Sequence, residues 1–219
     1  ILTEHFVPVD ITDKELLFHA FKVYGPFDCV MHFCAKSLVA ESTQDPSQYY
    51  LNNVTGTLNL MQVMRATGHD KLIFSSTAAI FGNPEQERIG EEHPKRPINP
   101  YGQSKLMVEK MLHDFAEAYQ FNSVSLRYFN AAGADPSGRI GEKHEPETHL
   151  IPNILQSAQG DLSKQLKVFG NDYDTPDGSC IRDYIHVNDL ADAHYRAYQY
   201  LNENNGAHQF NLGNGQGFS

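Results

Sequence analysis

Apolar residues in this chain fall into short unbroken runs separated by amphipathic stretches. Phe6-Val7-Pro8-Val9-Asp10-Ile11 predicts a short strand, and Asp13 to Lys22 an amphipathic helix with Thr12 as its N-cap. Asp28 to Cys34 is a nearly continuous apolar run, the pattern of a strand buried on both faces. From Ser47 to Thr67, Leu51, Val54, Leu58, Met61 and Met64 recur at helical spacing, and Gly68 closes that helix. Lys71 to Ser76 predicts a second buried strand, Tyr101 to Tyr119 a long helix, and Ser123 to Phe129 a third strand. Strand alternating with helix predicts an α/β fold, a doubly wound parallel sheet covered by helices on both faces.

The texture changes between Asn130 and about Ile185. Gly, Pro and Asp rise and the elements shorten to a helix over Leu150 to Gln159 and an apolar run over Leu166 to Phe169. This predicts a smaller lobe over 131–186. A helix over Val187 to Leu201 and a strand over His208 to Leu212 then return to the sheet, so the main domain comprises 1–130 and about 187–213.

Charge narrows the partners. The 219 residues carry 17 Lys and Arg against 27 Asp and Glu, a net charge of -10, with no basic tract. That argues against nucleic acid or an anionic membrane as a partner. No run approaches the ~20 apolar residues of a membrane span, and the first residues have no basic segment of the kind that opens a signal peptide. The cysteines, Cys29, Cys34 and Cys180, are odd in number and lack framework spacing, which predicts free thiols in a reducing, cytoplasmic compartment.

Ligands of open parallel sheets sit beyond the carboxyl ends of the strands. Three predicted strand exits are polar in a way a packed core does not require: Lys36-Ser37, Ser75-Ser76-Thr77 and Asn130. Just downstream, Tyr101 and Lys105 stand four apart on one helix face. An ammonium beside a phenol favours the phenolate, lowering the Tyr101 pKa toward that of a general base. His144-Glu145-Pro146-Glu147-Thr148-His149 resembles a zinc-protease motif but is one residue too long. It also carries Pro146 where a helix is needed, so no metal is expected. Asn53-Val54-Thr55 fits a glycosylation sequon but falls within a predicted helix.

Tyr-x-x-x-Lys after a Ser/Thr at a strand end resembles the catalytic signature of the short-chain dehydrogenase/reductase superfamily. Tyr49 to Thr57, Phe74 to Ala79, Pro100 to Lys105, Arg127 to Asn130 and Arg182 to Val187 resemble its extended, nucleotide-sugar branch. Phe169 to Tyr173 and Asp177 to Tyr184 are similar to the UDP-glucose (UDP-galactose) 4-epimerase family. The resemblance implies a Rossmann-like sheet whose 1–130 part binds NAD and whose 131–186 lobe binds a UDP-sugar. It implies interconversion of UDP-glucose and UDP-galactose through a 4-keto sugar, and a homodimer in the intact protein. Tyr101 would be the base, Lys105 would lower its pKa and hold the nicotinamide ribose, and Thr77 would hydrogen-bond the sugar or Tyr101. Toward the cofactor it implies Asp10, Ile11, Phe33, Cys34, Ala35, Ser37, Asn53, Ser75 and Tyr128. Toward the substrate it implies Asn130, His149, Leu150, Lys167, Val168, Phe169 and Arg182.

Two rivals share the fold. A nucleotide-sugar 4,6-dehydratase carries Asp-Glu after the strand-end Thr, where this chain has Ala78-Ala79, two methyls that donate no proton. A non-catalytic homologue is expected to have lost Tyr101 or Lys105, and both are present. The family's opening strand and its Gly-x-x-Gly-x-x-Gly turn have no counterpart. The chain also stops before the family's last substrate-discriminating segments, so an internal piece of a longer protein is expected, lacking the first two strands and part of the smaller lobe.

Overall fold

The computed structural model describes residues 6–159, 166–168 and 170–219. The chain divides into two compact units, Ile1–Tyr128 with Ala193–Leu212, and Phe129–Asp192 with Gly213–Ser219.

In the first unit, α1 (Lys14–Tyr24) is capped by Asp13, whose carboxylate accepts from the Leu16 N–H at 3.0 Å. The expected cap, Thr12, gives both its N–H and its hydroxyl to Asp10 at 2.8 Å, so the helix starts later. The expected strand over 6–11 is absent: Phe6–Asp10 has no regular structure, and Asp13 N–H bonds to Asp10 O to close a turn. Strand β1 is limited to Val30–His32. Beyond it the Cys34 N–H turns back to His32 Nδ1, and the Lys36 N–H goes to Asn53, which ends the ladder. Nor is this run buried on both faces, since Met31 and Phe33 are exposed.

After α2 (Val39–Gln44) and α3 (Pro46–Tyr49), the expected continuous helix widens to π geometry over Tyr50–Gly56 before α4 (Thr57–Ala66). Gly56 allows a close approach: a β-carbon there would stand 2.7 Å from Ile11 Cγ1. Strand β2 (Lys71–Thr77) leads through a 3-10 turn, Ala78–Phe81, toward α5 (Pro100–Tyr119) and β3 (Asn122–Tyr128). The second unit opens with β4 (Asn130–Ala132), α6 (Leu150–Ala158) and β5 (Arg182–His186). Helix α7 (Val187–Leu201) then runs into the first unit's β6 (Ala207–Leu212), and β7 (Gly217–Phe218) belongs to the second.

The first unit's sheet is wholly parallel in the order β1-β2-β3-β6, so its strands all exit at one edge. Alternation along β2 serves two layers. Leu72 and Phe74 pack with Leu17, Phe21, Met61, Met64, Val108 and Leu112 on one face, and Ile73 packs with Val124, Leu126, Ala197 and Leu201 on the other. Each of these Leu, Ile, Val, Met and Phe side chains contributes about 1.5–3 kcal/mol of burial. In the second unit β4 pairs parallel with β5, and β5 antiparallel with β7. Residues 166–168, an apolar run in the sequence, have no regular structure. All three cysteines are free. Among the described residues no helix is long and apolar enough to cross a membrane.

Candidate active site

Asn99-Pro100 fixes where α5 begins. The Asn99 side chain accepts from the Gly102 N–H at 2.8 Å, and Pro100 occupies the first helical position, where no N–H is needed. Tyr101 therefore stands in the first turn, with Lys105 one turn further along the same face. Lys105 is buried. Its ammonium donates to the Ser75 carbonyl at 2.6 Å, and lies 4.7 Å from the Phe74 ring centroid and 5.9 Å from that of Tyr101. Burial pulls its pKa down to about 7, while the Glu109 charge acts to raise it.

Thr77 ends β2, and its hydroxyl caps the following turn by accepting from the Ala79 N–H at 3.1 Å. Burial holds the Tyr101 phenol above its ordinary pKa, and Thr77 is the group that acts downward. In the folded protein desolvation outweighs the other effects on the phenol. Tyr128 ends β3. Its pKa is pushed up to about 12, chiefly by burial, with a Ser75 hydrogen bond opposing, and its hydroxyl lies 2.6 Å from His194 Nε2. His194 also stacks 4.9 Å from Phe33. Sequence reasoning missed this histidine, because a single His in a helix carries no distinguishing spacing.

Of the residues expected near a cofactor, Phe33, Cys34, Ala35 and Ser37 follow the exit of β1, and all but Ala35 are exposed. Asn53 is buried in the π segment, where its amide donates to Lys36 O and Ser104 Oγ, both at 3.0 Å. It thereby ties the loop after β1 to α5. Asp10 is exposed, with its carboxyl held below the usual range by the Thr12 N–H and hydroxyl. Ile11 is buried against Gly56.

The second unit carries the residues expected at the substrate. The Asn130 amide donates to Asp183 O at 2.8 Å. Arg182 is exposed and gives one N–H to Ile181 O at 2.9 Å. Leu150 opens α6, and Lys167 and Val168 are exposed, while Phe169 lies outside the described residues. Asp183, not singled out from the sequence, accepts from the Asn214 and Gly215 N–H groups at 2.7 and 2.8 Å and fixes that turn. His149 Nδ1 donates to the Glu147 carboxylate, 2.8 Å from Oε1. Residues 141–149 are non-helical, as Pro146 requires, yet Glu142, His144 and His149 bring three potential metal-ligand atoms within 4.8 Å of one another. All three are exposed, and Nδ1 of each histidine already faces a carboxylate, with His144 Nδ1 2.9 Å from Glu142 Oε1.

Residues 1–213 match the NAD dependent epimerase/dehydratase family. The chain is 54% identical over 210 residues to a UDP-glucose 4-epimerase of Halalkalibacterium halodurans, covering 96% of this chain and 62% of that protein. It is 50% identical over 214 residues to one of Streptococcus mutans, covering 98% and 64%. Among solved structures it is similar to UDP-glucose 4-epimerase from Brucella ovis in complex with NAD, with a TM-score of 0.92, 51% identity, and 98% and 65% of the two chains covered. The enzyme from Bifidobacterium longum in complex with NAD+ and UDP gives 0.91, 41%, 97% and 64%. The chain thus spans a little under two thirds of the length of these relatives. With that match running over residues 1–213, the chain belongs to the NAD dependent epimerase/dehydratase family.

Proposed function

We propose that the protein interconverts UDP-glucose and UDP-galactose by reversible oxidation at C4 of the sugar, with NAD as cofactor. The observation that carries this reading is the meeting of Thr77, Tyr101 and Lys105 at the end of β2, in a chain about half identical to UDP-glucose 4-epimerases. When bound, NAD supplies the acceptor for the C4 hydride and returns it. The residues present fit such a group. The Lys105 ammonium makes one hydrogen bond among the described residues, to Ser75 O, so further N–H groups can meet ribose hydroxyls. Phe33, Cys34, Ala35 and Ser37 at the exit of β1, with Asp10, Ile11, Asn53 and Tyr128, complete the cofactor side.

Tyr101 takes the proton of the sugar 4-hydroxyl as C4 becomes a ketone, and gives it back when the ketone is reduced on its other face. Thr77 supports the ionised phenol and orients the hydroxyl. Because the ketone must present both faces, the hexose is held loosely and the nucleotide firmly, so remote binding energy does the anchoring. Arg182 and Asn130 suit the diphosphate. Among the described residues the Arg182 guanidinium gives one N–H, to Ile181 O, which leaves the rest of its planar fork for phosphate oxygens. His149, Leu150, Lys167 and Val168 suit the uridine. Ala78 and Ala79 offer no proton donor, which favours epimerisation over loss of water. The same reading places the reaction in galactose metabolism and in the cytoplasm, to which three free cysteines are suited.

The test is Tyr101→Phe in the protein expressed from its full reading frame. Turnover should fall by roughly 10²–10⁴, as for other general bases, with UDP-sugar binding retained. Near wild-type epimerisation overturns the proposal.

A further inference from the structure

The buried network behind Lys105 has no part in the chemistry proposed above. Glu109 and Arg127 are both buried, with side chains 5% and 1% exposed. Glu109 Oε1 accepts from Ser76 Oγ at 2.6 Å and from Arg127 Nε at 2.9 Å, and Oε2 accepts from Arg127 Nη2 at 2.8 Å. Arg127 Nη1 donates to Glu91 O at 3.3 Å, and the guanidinium stands 5.5 Å from the Phe81 ring centroid. Both carboxylate oxygens and all three guanidinium nitrogens are therefore engaged. Stability alone is a weak reason for such a pair, because well-packed apolar residues of similar volume often do as well.

Its position supplies a better reason. Glu109 is one helical turn beyond Lys105 on the same face of α5, as Lys105 is one turn beyond Tyr101. Consecutive residues of β2 hold the two opposite charges: Ser75 O takes the Lys105 ammonium and Ser76 Oγ binds the Glu109 carboxylate. We infer that Glu109 is a positioning residue for the proposed reaction, anchored by Arg127 and Ser76 so that its charge keeps the Lys105 ammonium protonated beside Tyr101.

The surroundings of Lys105 leave that task to Glu109. From β1, His32 is held neutral, its pKa brought down to about 3 by burial and by Lys105 itself. From β2 come the Ser75 carbonyl, the Phe74 ring and the hydroxyls of Ser76 and Thr77, all uncharged. From β3 come Arg127, a cation already given to Glu109, and Tyr128, whose phenol stays protonated near Tyr101. Near Tyr101 stands also Tyr49 of α3, pushed up chiefly by burial and hydrogen-bonded to Glu41 of α2. Among the described residues, Glu109 is the group whose charge favours the ammonium against burial.

The inference rests on the proposed function, and its test separates the two. Lys105 loses its proton as pH rises, so its charge sets the alkaline limb of the rate profile. Glu109→Gln should move that limb toward acid by about one unit or more, with KM for the UDP-sugar changed less than about twofold. Arg127→Gln keeps the Glu109 side chain beside Ser76, so any acid shift it causes should be smaller than that of Glu109→Gln. If the Gln variant does not fold, Glu109→Asp withdraws the carboxylate by one methylene and should move the limb the same way by a smaller amount. A readout free of catalysis is the pH dependence of the stability difference between Lys105 and its Lys105→Met replacement, measured by urea unfolding. Its midpoint should fall to lower pH in the Glu109→Gln background. A lowered kcat on an unmoved profile, an unmoved midpoint, or an equal acid shift in Arg127→Gln overturns the inference. An active Tyr101→Phe protein would instead overturn the function on which it rests.

Discussion

Replacing Gly102 with alanine probes how tightly the start of α5 is seated against the turn that follows β2. Gly102 lies between Tyr101 and Lys105, with its N–H held by Asn99. A β-carbon there would stand 2.6 Å from the Ala79 carbonyl oxygen, 3.0 Å from the Ala79 carbonyl carbon and 3.1 Å from Pro97 Cβ. Comfortable non-bonded contact begins near ~3.5 Å, so the helix and the 78–81 turn must part by roughly 0.5–1 Å. Two effects oppose one another. Alanine gains about 1 kcal/mol over glycine in helix propensity. Overpacking against backbone, which cannot swing away as a side-chain end can, costs about 1–3 kcal/mol.

The clash wins in stability by a modest margin, and the melting temperature should fall by a few degrees, at ~2–4 °C per kcal/mol for a chain of this size. The larger consequence is for rate. Thr77 caps that same turn and acts against burial on the Tyr101 phenol, so the shift separates the proposed base from Thr77. A misplacement near 1 Å costs on the order of 10²-fold in turnover. The assay is kcat and KM for UDP-galactose to UDP-glucose conversion, beside a thermal melt. A Gly102→Ala protein with wild-type kcat and melting temperature would show that this contact relaxes without cost and refute the reasoning.

Lys105→Met should abolish turnover and yet stabilise the fold at neutral and acid pH. Burial lowers the Lys105 pKa to about 7 from 10.5, so between these values the unfolded chain binds the extra proton and native stability rises with pH. The gain from Met is therefore full below pH 7 and gone by about pH 10.5; urea unfolding at pH 6 and pH 10 checks it, and a gain independent of pH counts against it. His32 poses the same question on the acid side. Its folded pKa of about 3 against an ordinary 6.5 means that stability is lost as pH falls through that window, so His32→Gln should flatten the decline. An acid limb as steep as that of the wild type would assign the loss to other groups.

Elements whose both faces are apolar, or whose helical period runs long, were legible from the residues: β2, β3, α5 and α7 lie within about a residue of the pattern. The failures have separate physical causes. Phe6 to Ile11 has a strand's composition, but a strand also needs a ladder, and this segment has none among the described residues. Thr12 has a capping hydroxyl, but Asp10 two residues earlier engages it first. The π segment over 50–56 keeps the apolar spacing of an α-helix closely enough to hide within it. Strands β4, β5 and β7 are two to five residues long, too short for alternation to register.

The site divides along a similar line. The spacing of Tyr101 and Lys105 is local and could be read directly, whereas the direction of the Tyr101 shift depends on burial, which no spacing encodes. Ser76, Glu109 and Arg127 sit at positions that a sheet between two helix layers would fill with apolar groups. Their burial is tolerable only because each satisfies another: Glu109 pairs with Arg127 18 residues away and with Ser76 33 residues away. Taken one at a time, each is a polar residue on a core face, an error by the rule that builds the rest of the sheet. The fold makes them a single network one turn behind the proposed base, and that is where a charge in a dry interior can act on Lys105 with least screening.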